Sequence, residues 1–206
     1  MKLYDFPFSP NCRKVRAVAY ELGIALEHEH VDLLTGGSRT PAFLARNPNG
    51  RVPVLEDGDL ILWESTAIIR YLAAGSPLAP AAPRAAAEVD RWIAWQLAHL
   101  APAMSKVAFE KIVKRLTGRG APDAARVAEG TSEFARLTEI LDGALADREF
   151  VAGRLTLADF ALAAHYSLAA AAGLDIPPHR RVESWLARVS GRDSMKRALS
   201  DAQASL

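Results

Sequence analysis

Ser9 and Pro10 mark the start of a predicted helix, and they are the first residues whose types and positions suit chemistry. A serine hydroxyl caps a helix well, and a proline at the first helical position gives up no needed hydrogen-bond donor. A strand is predicted directly before this helix, so the hydroxyl and the first amides point out of the carboxyl edge of a sheet, where ligands bind in open α/β folds. No His or Asp forms a recognisable nucleophile motif around Ser9. Ser9 is therefore either a plain helix cap or a hydrogen-bond donor to a ligand.

Cys12, the only cysteine, lies about one turn into the same helix. A thiol near a helix N-terminus with basic neighbours has a lowered pKa, which suits a redox or mixed-disulfide role. A lone helical cysteine outside a C-x-x-C motif is more often a small packed hydrophobic residue. Arg13, Lys14 and Arg16 favour a nearby anion, but they follow the first turn on different sides of the helix and are predicted to form a solvated face.

Residues 47–55 form a turn that leads into a strand, and Pro53 is the second residue of its apolar run. A proline cannot donate to a strand ladder, so Val52 is left extended beside an unpaired backbone position that can accept a peptide-like ligand. An ordinary edge-strand proline is the alternative. The local sequence does not decide whether the Val52–Pro53 bond is cis.

Glu64 and Ser65 stand where a strand passes into another helix. A serine hydroxyl and the first helical amides can hold a carboxylate, while Glu64 can accept from an ammonium group. This pair suits the α-amino acid end of a ligand, although a capped amphipathic helix explains it equally well.

Two further patterns predict structure rather than chemistry. Thr156 and Asp159 resemble a capping box and are interpreted as folding residues. His28 and His30 alternate on a predicted strand and share a face, but no third ligand stands at a readable spacing, so no metal site is predicted.

The predicted secondary structure that positions these residues changes near residue 75, from alternating strands and helices to helices. Before it, strands are predicted at residues 2–6, 26–33, 52–57 and 60–63, with helices at about 10–22 and 65–73. Asp57, Gly58 and Asp59 form a turn cluster suited to a hairpin. The order is βαβ followed by ββα, which builds a mixed sheet covered by helices.

The segment at residues 76–83 is rich in helix-stopping residues and is predicted to link a first domain at 1–75 to a second at 84–206. Strand signals almost vanish after it. Apolar residues recur three and four positions apart, and about five helices are predicted, with breaks near residues 118–122, 147–156, 173–178 and 191–193. The fold class is therefore α/β plus all-α.

Composition excludes several classes of protein. The 206 residues carry 25 Lys and Arg against 24 Asp and Glu, so nucleic acid and anionic membranes are not expected as main partners. A single cysteine excludes a disulfide framework. The N-terminus lacks a signal-like apolar stretch and no apolar run reaches the ~18 residues of a membrane span, so we expect a cytoplasmic protein.

In combination, these motifs resemble the cytosolic glutathione S-transferase family, in its serine-type phi and theta classes. The resemblance covers essentially the whole chain and is strongest over residues 1–75. The residues that carry it are Ser9-Pro10-Asn11, Asn47-Pro48, the run from Gly50 to Leu55, the run from Glu64 to Ile68, and Gly153 with Thr156, Ala158 and Asp159.

The resemblance implies a thioredoxin-like domain that binds glutathione and a helical domain that supplies most of an electrophile pocket. Ser9 matches the family's catalytic serine. The residues that it assigns to glutathione are Asn11, Arg39 at the glycyl carboxylate, Arg51 before the backbone clamp, Val52 and Pro53 in the clamp, where the family's proline is cis, and Glu64 and Ser65 at the γ-glutamyl group. Ser38 departs from the histidine that the phi class commonly has beside Arg39.

The implied reaction adds the glutathione thiolate to a small hydrophobic electrophile, without a metal, in a homodimer. Phe8, Met104 and Val107 are candidate pocket residues, although apolar residues of this kind are more often core. Two alternatives stay open. One is a glutathione-dependent thiol–disulfide oxidoreductase that uses Cys12, and the other is a non-catalytic relative that binds glutathione or apolar ligands.

Overall fold

The computed structural model describes residues 1–175 and 178–203 of the chain. The chain divides into two compact units, one made of residues 1–79 with the described residues from 190 onward, and one made of residues 80–189. The change from the first unit to the second lies within the segment predicted as a linker. The last helix, predicted as part of the helical domain, groups instead with the first unit.

The first unit is built on a four-stranded mixed sheet in the order β2-β1-β3-β4. Its strands are β1 (Lys2–Asp5), β2 (Glu27–His30), β3 (Val54–Asp57) and β4 (Leu60–Trp63). β1 pairs parallel with β2 and antiparallel with β3, and β3 pairs antiparallel with β4. The predicted order of elements and the predicted hairpin are confirmed, with Gly58 at φ 61° in the hairpin turn.

Three helices of this unit follow predicted or readable start signals. α1 (Pro10–Glu21) begins at Pro10 with Ser9 as its N-cap residue, as predicted. The short α2 (Pro41–Leu44) is capped by Thr40, whose side chain accepts from the amide of Phe43. α3 (Ser65–Leu72) begins directly after β4. Both long helices therefore start at the end of a strand or hairpin, where the sequence motifs stand.

The prediction of a solvated face for Arg13, Lys14 and Arg16 is wrong. These residues are 5 %, 0 % and 6 % exposed, within an unbroken buried stretch at residues 12–19. Their helix is covered by α3 and by the last helix, α10 (Asp193–Gln203), so it has no solvent-exposed face over this stretch. Arg16 is paired with the buried Asp5 through two hydrogen bonds of 2.5 and 2.8 Å.

Polar contacts hold α10 along α1. Asp201 accepts from Arg16 at 2.8 Å and from the hydroxyl of Tyr20 at 2.6 Å. Ser194 donates to Glu21 at 2.6 Å. These contacts explain why the last helix belongs with the first unit, and they involve residues far apart in the sequence that no local pattern connects.

The second unit is helical, as predicted. A continuous helical stretch runs through α4 (Pro83–Trp95), α5 (Ala101–Ala108) and α6 (Lys114–Thr117), with π-helical turns at Gln96–Leu100 and Phe109–Val113. It is followed by α7 (Ala124–Ala144), α8 (Leu157–Tyr166) and α9 (Arg180–Ser190). Counted with α10, the described helical stretches after residue 80 number five, and the predicted breaks separate them. None of the described helices combines the length and apolar character that crossing a bilayer requires.

The predicted capping box at the start of α8 is present. The fully buried carboxylate of Asp159 accepts from the amide and hydroxyl of Thr156, at 2.9 and 3.2 Å. It also accepts from the amide of Val151 at 3.0 Å and from the indole of Trp185 at 2.9 Å. Burial raises the pKa of Asp159, although each of these hydrogen bonds lowers it.

Candidate functional site

Ser9 occupies the N-cap position of α1 without using its side chain as a cap. Its backbone has φ −72° and ψ 125°, and its carbonyl accepts from the amide of Arg13 at 2.9 Å, but the hydroxyl makes no capping hydrogen bond. The side chain is half-buried and hydrogen-bonds instead to the thiol of Cys12. The helix start is therefore held by backbone contacts, and the hydroxyl can turn to another partner without loss of a cap.

Cys12 lies in the core of the sheet unit. It is fully buried in a cluster with Val31, Phe43, Val52 and Val54. Burial raises the pKa of the thiol to about 12, even though the Phe6 amide (3.4 Å away) and the Ser9 side chain hydrogen-bond to it. Only about one molecule in 10⁵ would then carry a thiolate at pH 7. This environment is that of a packed hydrophobic residue and gives no support to the alternative of an oxidoreductase that uses Cys12.

The loop before the backbone clamp is organised by Asn47, which is 2 % exposed. The Asn47 amide donates to the carbonyl of Arg51 at 2.6 Å, and its oxygen accepts from the amide of Asn49 at 3.0 Å. The Val52–Pro53 bond is cis, as the resemblance implies. The β1–β3 ladder ends at the Tyr4–Val54 pair, so the backbone of Val52 lies beyond it, in line with the predicted unpaired position. Asn47 belongs to a motif that carries the family resemblance, but no separate role was predicted for its side chain.

Two arginines that the resemblance assigns to glutathione lie on either side of α2. Arg39, assigned to the glycyl carboxylate, precedes this helix, and Arg51, assigned to the position before the backbone clamp, follows it. Arg39 donates to the carbonyl of Asn49 at 3.4 Å, and its guanidinium lies against Gly50. Gly50 has φ +59°, and a Cβ there would come within 2.6 Å of Arg39 Nη1, so this position requires glycine. Arg51 is exposed, and its side chain makes no hydrogen bond or ion pair to other described residues. Ser38, next to Arg39, is buried.

A side-chain contact between Ser65 and Asn11 joins the starts of α1 and α3. Ser65, the first residue of α3 and 6 % exposed, donates to Asn11 at 3.2 Å. The residue before it, Glu64, has φ 71° and ψ 107°, the only positive φ of a non-glycine residue among those described. Such a conformation costs about 1–3 kcal/mol and is found mainly at functional sites. The first amides of α3 have no partner within the helix, so this end suits an anion.

Lys14 is the charged residue that sequence reasoning missed. Its side chain is fully buried and its ammonium donates to the hydroxyl of Thr66, in the first turn of α3, at 3.3 Å. Burial lowers the pKa of Lys14 to about 8, and the charge of Glu64 opposes that shift. The helical spacing of three between Asn11 and Lys14 was readable, but the burial of this face was not, because it depends on packing with α3.

The three candidate pocket residues have different surroundings. Phe8 is half-buried, and its ring centroid is 5.3 Å from that of Phe6. Met104 and Val107 lie on α5 in the helical unit and are 2 % and 0 % exposed. Val107 packs against α7, since a Cβ on Gly130 would lie 2.7 Å from its side chain. Val107 therefore has the surroundings of a core residue.

His28, His30 and Tyr4 make contacts within the sheet unit. His28 Nδ1 lies 3.3 Å from the Asp5 carboxylate, and the His30 ring centroid is 5.7 Å from that of Phe6. Tyr4 donates to Glu56 at 3.0 Å. Over residues 1–175 and 178–203, no three His, Cys, Asp or Glu residues are grouped to hold a metal ion.

Comparison with known proteins gives a consistent result. Residues 3–80 match the model of the family described as "Glutathione S-transferase, N-terminal domain". The chain is 35 % identical over 213 residues to "Glutathione S-transferase 3" of Zea mays, with 97 % of this chain and 93 % of that protein covered.

Solved structures of glutathione transferases match this chain over nearly its whole length. The crystal structure of glutathione transferase F7 from Populus trichocarpa matches with a TM-score of 0.90 and 28 % identity, over 98 % of each chain. The theta class glutathione S-transferase from Xanthomonas axonopodis pv. citri, solved with glutathione bound, matches with a TM-score of 0.88 and 33 % identity, over 96 % of each chain.

Proposed function

This chain belongs to the glutathione S-transferase family, and from that premise we propose that it is a serine-type enzyme, in which the hydroxyl of Ser9 stabilises the glutathione thiolate for attack on a small hydrophobic electrophile. The observation that carries the proposal is that Ser9 stands at the start of α1 with its hydroxyl free of any capping bond. The only cysteine offers no competing nucleophile, because its thiol is buried and its pKa is raised to about 12.

The energy required for thiol ionisation is within reach of this arrangement. A free thiol with a pKa of ~8.5 is about 3 % ionised at pH 7, and lowering that pKa by roughly two units takes ~2.7 kcal/mol. One hydrogen bond to a charged acceptor contributes ~1.5–3 kcal/mol, and a helix N-terminus adds ~0.3–1 kcal/mol. The hydroxyl of Ser9 and the start of α1 therefore suffice without a general base.

The reaction balances without a further cofactor. The thiol proton passes to solvent, and Ser9 donates a hydrogen bond to the resulting thiolate. The thiolate forms a carbon–sulfur bond with the electrophile; where the substrate is a halide, the carbon–halogen bond breaks and the halide leaves with the bonding electrons.

Glutathione is proposed to lie across the loops and helix starts described above. The unpaired backbone of Val52, before Pro53, is suited to the cysteinyl amide group, and the start of α3 at Ser65 to the γ-glutamyl carboxylate. Glu64 is proposed to accept from the γ-glutamyl ammonium, and Asn11, which accepts from Ser65, is proposed as a further glutathione-binding residue. The exposed Arg39 is the candidate for the glycyl carboxylate, and the exposed Arg51, before the backbone clamp, is a further glutathione-binding candidate. Phe8 and Met104 remain predictions for the electrophile pocket, and Val107 is the weakest of the three.

Replacement of the Ser9 hydroxyl tests the proposal. Ser9→Ala is expected to lower turnover of glutathione with a chlorinated nitroaromatic by about 10²-fold, the scale of one hydrogen bond to a charged group. The ultraviolet absorbance of bound thiolate should titrate at least one pH unit higher in this variant. Cys12→Ala is the matched control on the same helix and should retain turnover. Unchanged turnover and titration in Ser9→Ala would overturn the serine mechanism.

A homodimer is proposed from the exposed edge of the sheet. β4 is an edge strand that exposes Leu60, Ile61 and Trp63 at 37 %, 45 % and 39 %, and Tyr71 of α3 is 41 % exposed. A long apolar edge of this kind is normally covered. Light scattering of the purified protein should give twice the chain mass, and Trp63→Glu should shift the protein toward the monomer. A cytoplasmic location stays a prediction, in keeping with the free thiol of Cys12.

A further inference from the structure

Lys14 carries a buried positive charge with little to compensate it. Its side chain is fully buried, and its one hydrogen bond to a described residue is the 3.3 Å contact to Thr66 Oγ1. Within the described part of the chain it forms no ion pair. An ammonium group has three donors, so a single neutral hydroxyl leaves it poorly satisfied. A buried charge of this kind costs stability, and an apolar side chain of similar volume would avoid that cost.

The position of Lys14 connects this charge to the start of α3. Asn11 and Lys14 are three residues apart and share a face of α1. Asn11 accepts from Ser65, and Lys14 donates to Thr66, so two successive residues of α3 are fastened to one face of α1.

The same helix start carries the unpartnered amides and the strained backbone of Glu64. The Lys14 ammonium also lies close enough to Glu64 for the two charges to interact. The positive charge therefore lies behind the point where a ligand carboxylate would meet the first amides of α3.

We propose that Lys14 is a positioning residue of the glutathione site, which fixes the start of α3 through Thr66 and adds positive charge behind the amides that receive the α-carboxylate of the γ-glutamyl group. This inference rests on the proposed binding of glutathione. It assigns Lys14 to ligand affinity at the expense of stability, and not to the step at sulfur.

The experiment measures glutathione affinity and stability on the same variants. Lys14→Met removes the charge at similar volume, Lys14→Arg keeps the charge, and Thr66→Val removes only the hydroxyl. By calorimetric titration, Lys14→Met should bind glutathione about 5- to 30-fold more weakly, which corresponds to 1–2 kcal/mol. Its urea midpoint should equal or exceed that of the wild type. Turnover at saturating glutathione should stay within about twofold, so that the loss is in KM.

The other variants separate charge from packing. Lys14→Arg should recover at least half of the lost affinity in logarithmic units, and Thr66→Val should lose less affinity than Lys14→Met. Unchanged affinity in Lys14→Met would overturn the inference, as would joint loss of affinity and stability that Lys14→Arg does not restore. Should Lys14→Met fail to fold, the inference is likewise overturned, because the charge would then stabilise the fold. Wild-type protein that does not bind glutathione would instead refute the proposed function.

Discussion

Helices α1 and α8 both begin with a hydroxyl residue at the N-cap, and the two hydroxyls have different uses. At the start of α8, Thr156 is locked to Asp159, whose carboxylate also accepts from Val151 and Trp185, all in a buried setting. At the start of α1, Ser9 makes no capping bond and its hydroxyl rests against a thiol. One start satisfies its polar groups internally, and the other leaves a donor available.

The difference shows how similar local signals separate into structural and functional roles. A polar group whose hydrogen bonds are all made inside the fold contributes to stability and has nothing left to offer a ligand. A helix start whose hydroxyl makes no capping bond to the first amides gives up part of that stability and becomes a binding site. Removal of the key side chain should therefore change stability at α8 and activity at α1.

The largest expected effect is on stability at the start of α8. Asp159→Ala leaves four buried donors without their acceptor, namely the amides of Val151 and Thr156, the hydroxyl of Thr156 and the indole of Trp185. We expect the free energy of unfolding to fall by about 4 kcal/mol, since each unsatisfied buried group costs ~1–3 kcal/mol. Urea unfolding followed by tryptophan fluorescence and circular dichroism would measure it.

A more conservative substitution of Asp159 sharpens this prediction. Asp159→Asn keeps the size and one acceptor oxygen, but its NH₂ group must face a donor, so an intermediate loss is expected. A loss below about 1 kcal/mol in Asp159→Ala would show that the network at α8 is replaceable, and the contrast with α1 would fail.

The next largest effect is on the pH dependence of the free energy of unfolding, and it comes from Lys14 in α1. Burial lowers the pKa of Lys14 to about 8 from an ordinary value of 10.5. Between these two values the unfolded chain holds the proton and the folded chain does not, so the contribution of Lys14 to the free energy of unfolding rises with pH through this window. Below about pH 8 the group is charged in both states, and its burial is destabilising.

The comparison of wild type with Lys14→Met isolates this contribution. From about pH 7.5 to about pH 9.5, the stability of the wild type relative to the variant should rise by roughly 1–2 kcal/mol. Urea unfolding of both proteins at several pH values provides the measurement. A difference that is flat or falls with pH would mean that the ammonium is well compensated in the folded state.

The contrast between these sites also shows what the sequence could predict. The order of strands and helices along the chain, the hairpin and the starts of α1 and α8 follow from periodicity, turn residues and helix-start signals, which are local properties. Three other features depend on contacts between residues that are 26 to 185 positions apart in the sequence. They are the burial of Lys14 against α3, the hydrogen bond from Trp185 to Asp159 and the packing of α10 on α1. No pattern within one sequence connects such residues. The hydroxyl of Ser9 was identified from its position, but whether it would cap the helix depended on side-chain geometry.

A smaller effect is expected for the cap hydroxyl at α8. Thr156→Ala removes one donor to the Asp159 carboxylate but leaves the amide contact, so the free energy of unfolding should fall by about 1 kcal/mol. Thr156→Ser retains the hydroxyl and should recover most of this loss. If serine and alanine were equally destabilising, the lost methyl packing of Thr156, and not its hydrogen bond, would be responsible.

The smallest effect is expected where the functional role is proposed. Ser9→Ala removes a hydroxyl that makes no capping bond, so the free energy of unfolding should change by less than about 0.5 kcal/mol in either direction. The same variant is expected to lose most of its turnover, and this dissociation of activity from stability is what distinguishes a ligand-facing hydroxyl from a cap. A loss of about 1 kcal/mol, equal to that of Thr156→Ala, would mean that Ser9 caps α1 in solution. Its hydroxyl would then have to leave the helix before it could reach a sulfur, and the two helix starts would no longer differ in kind.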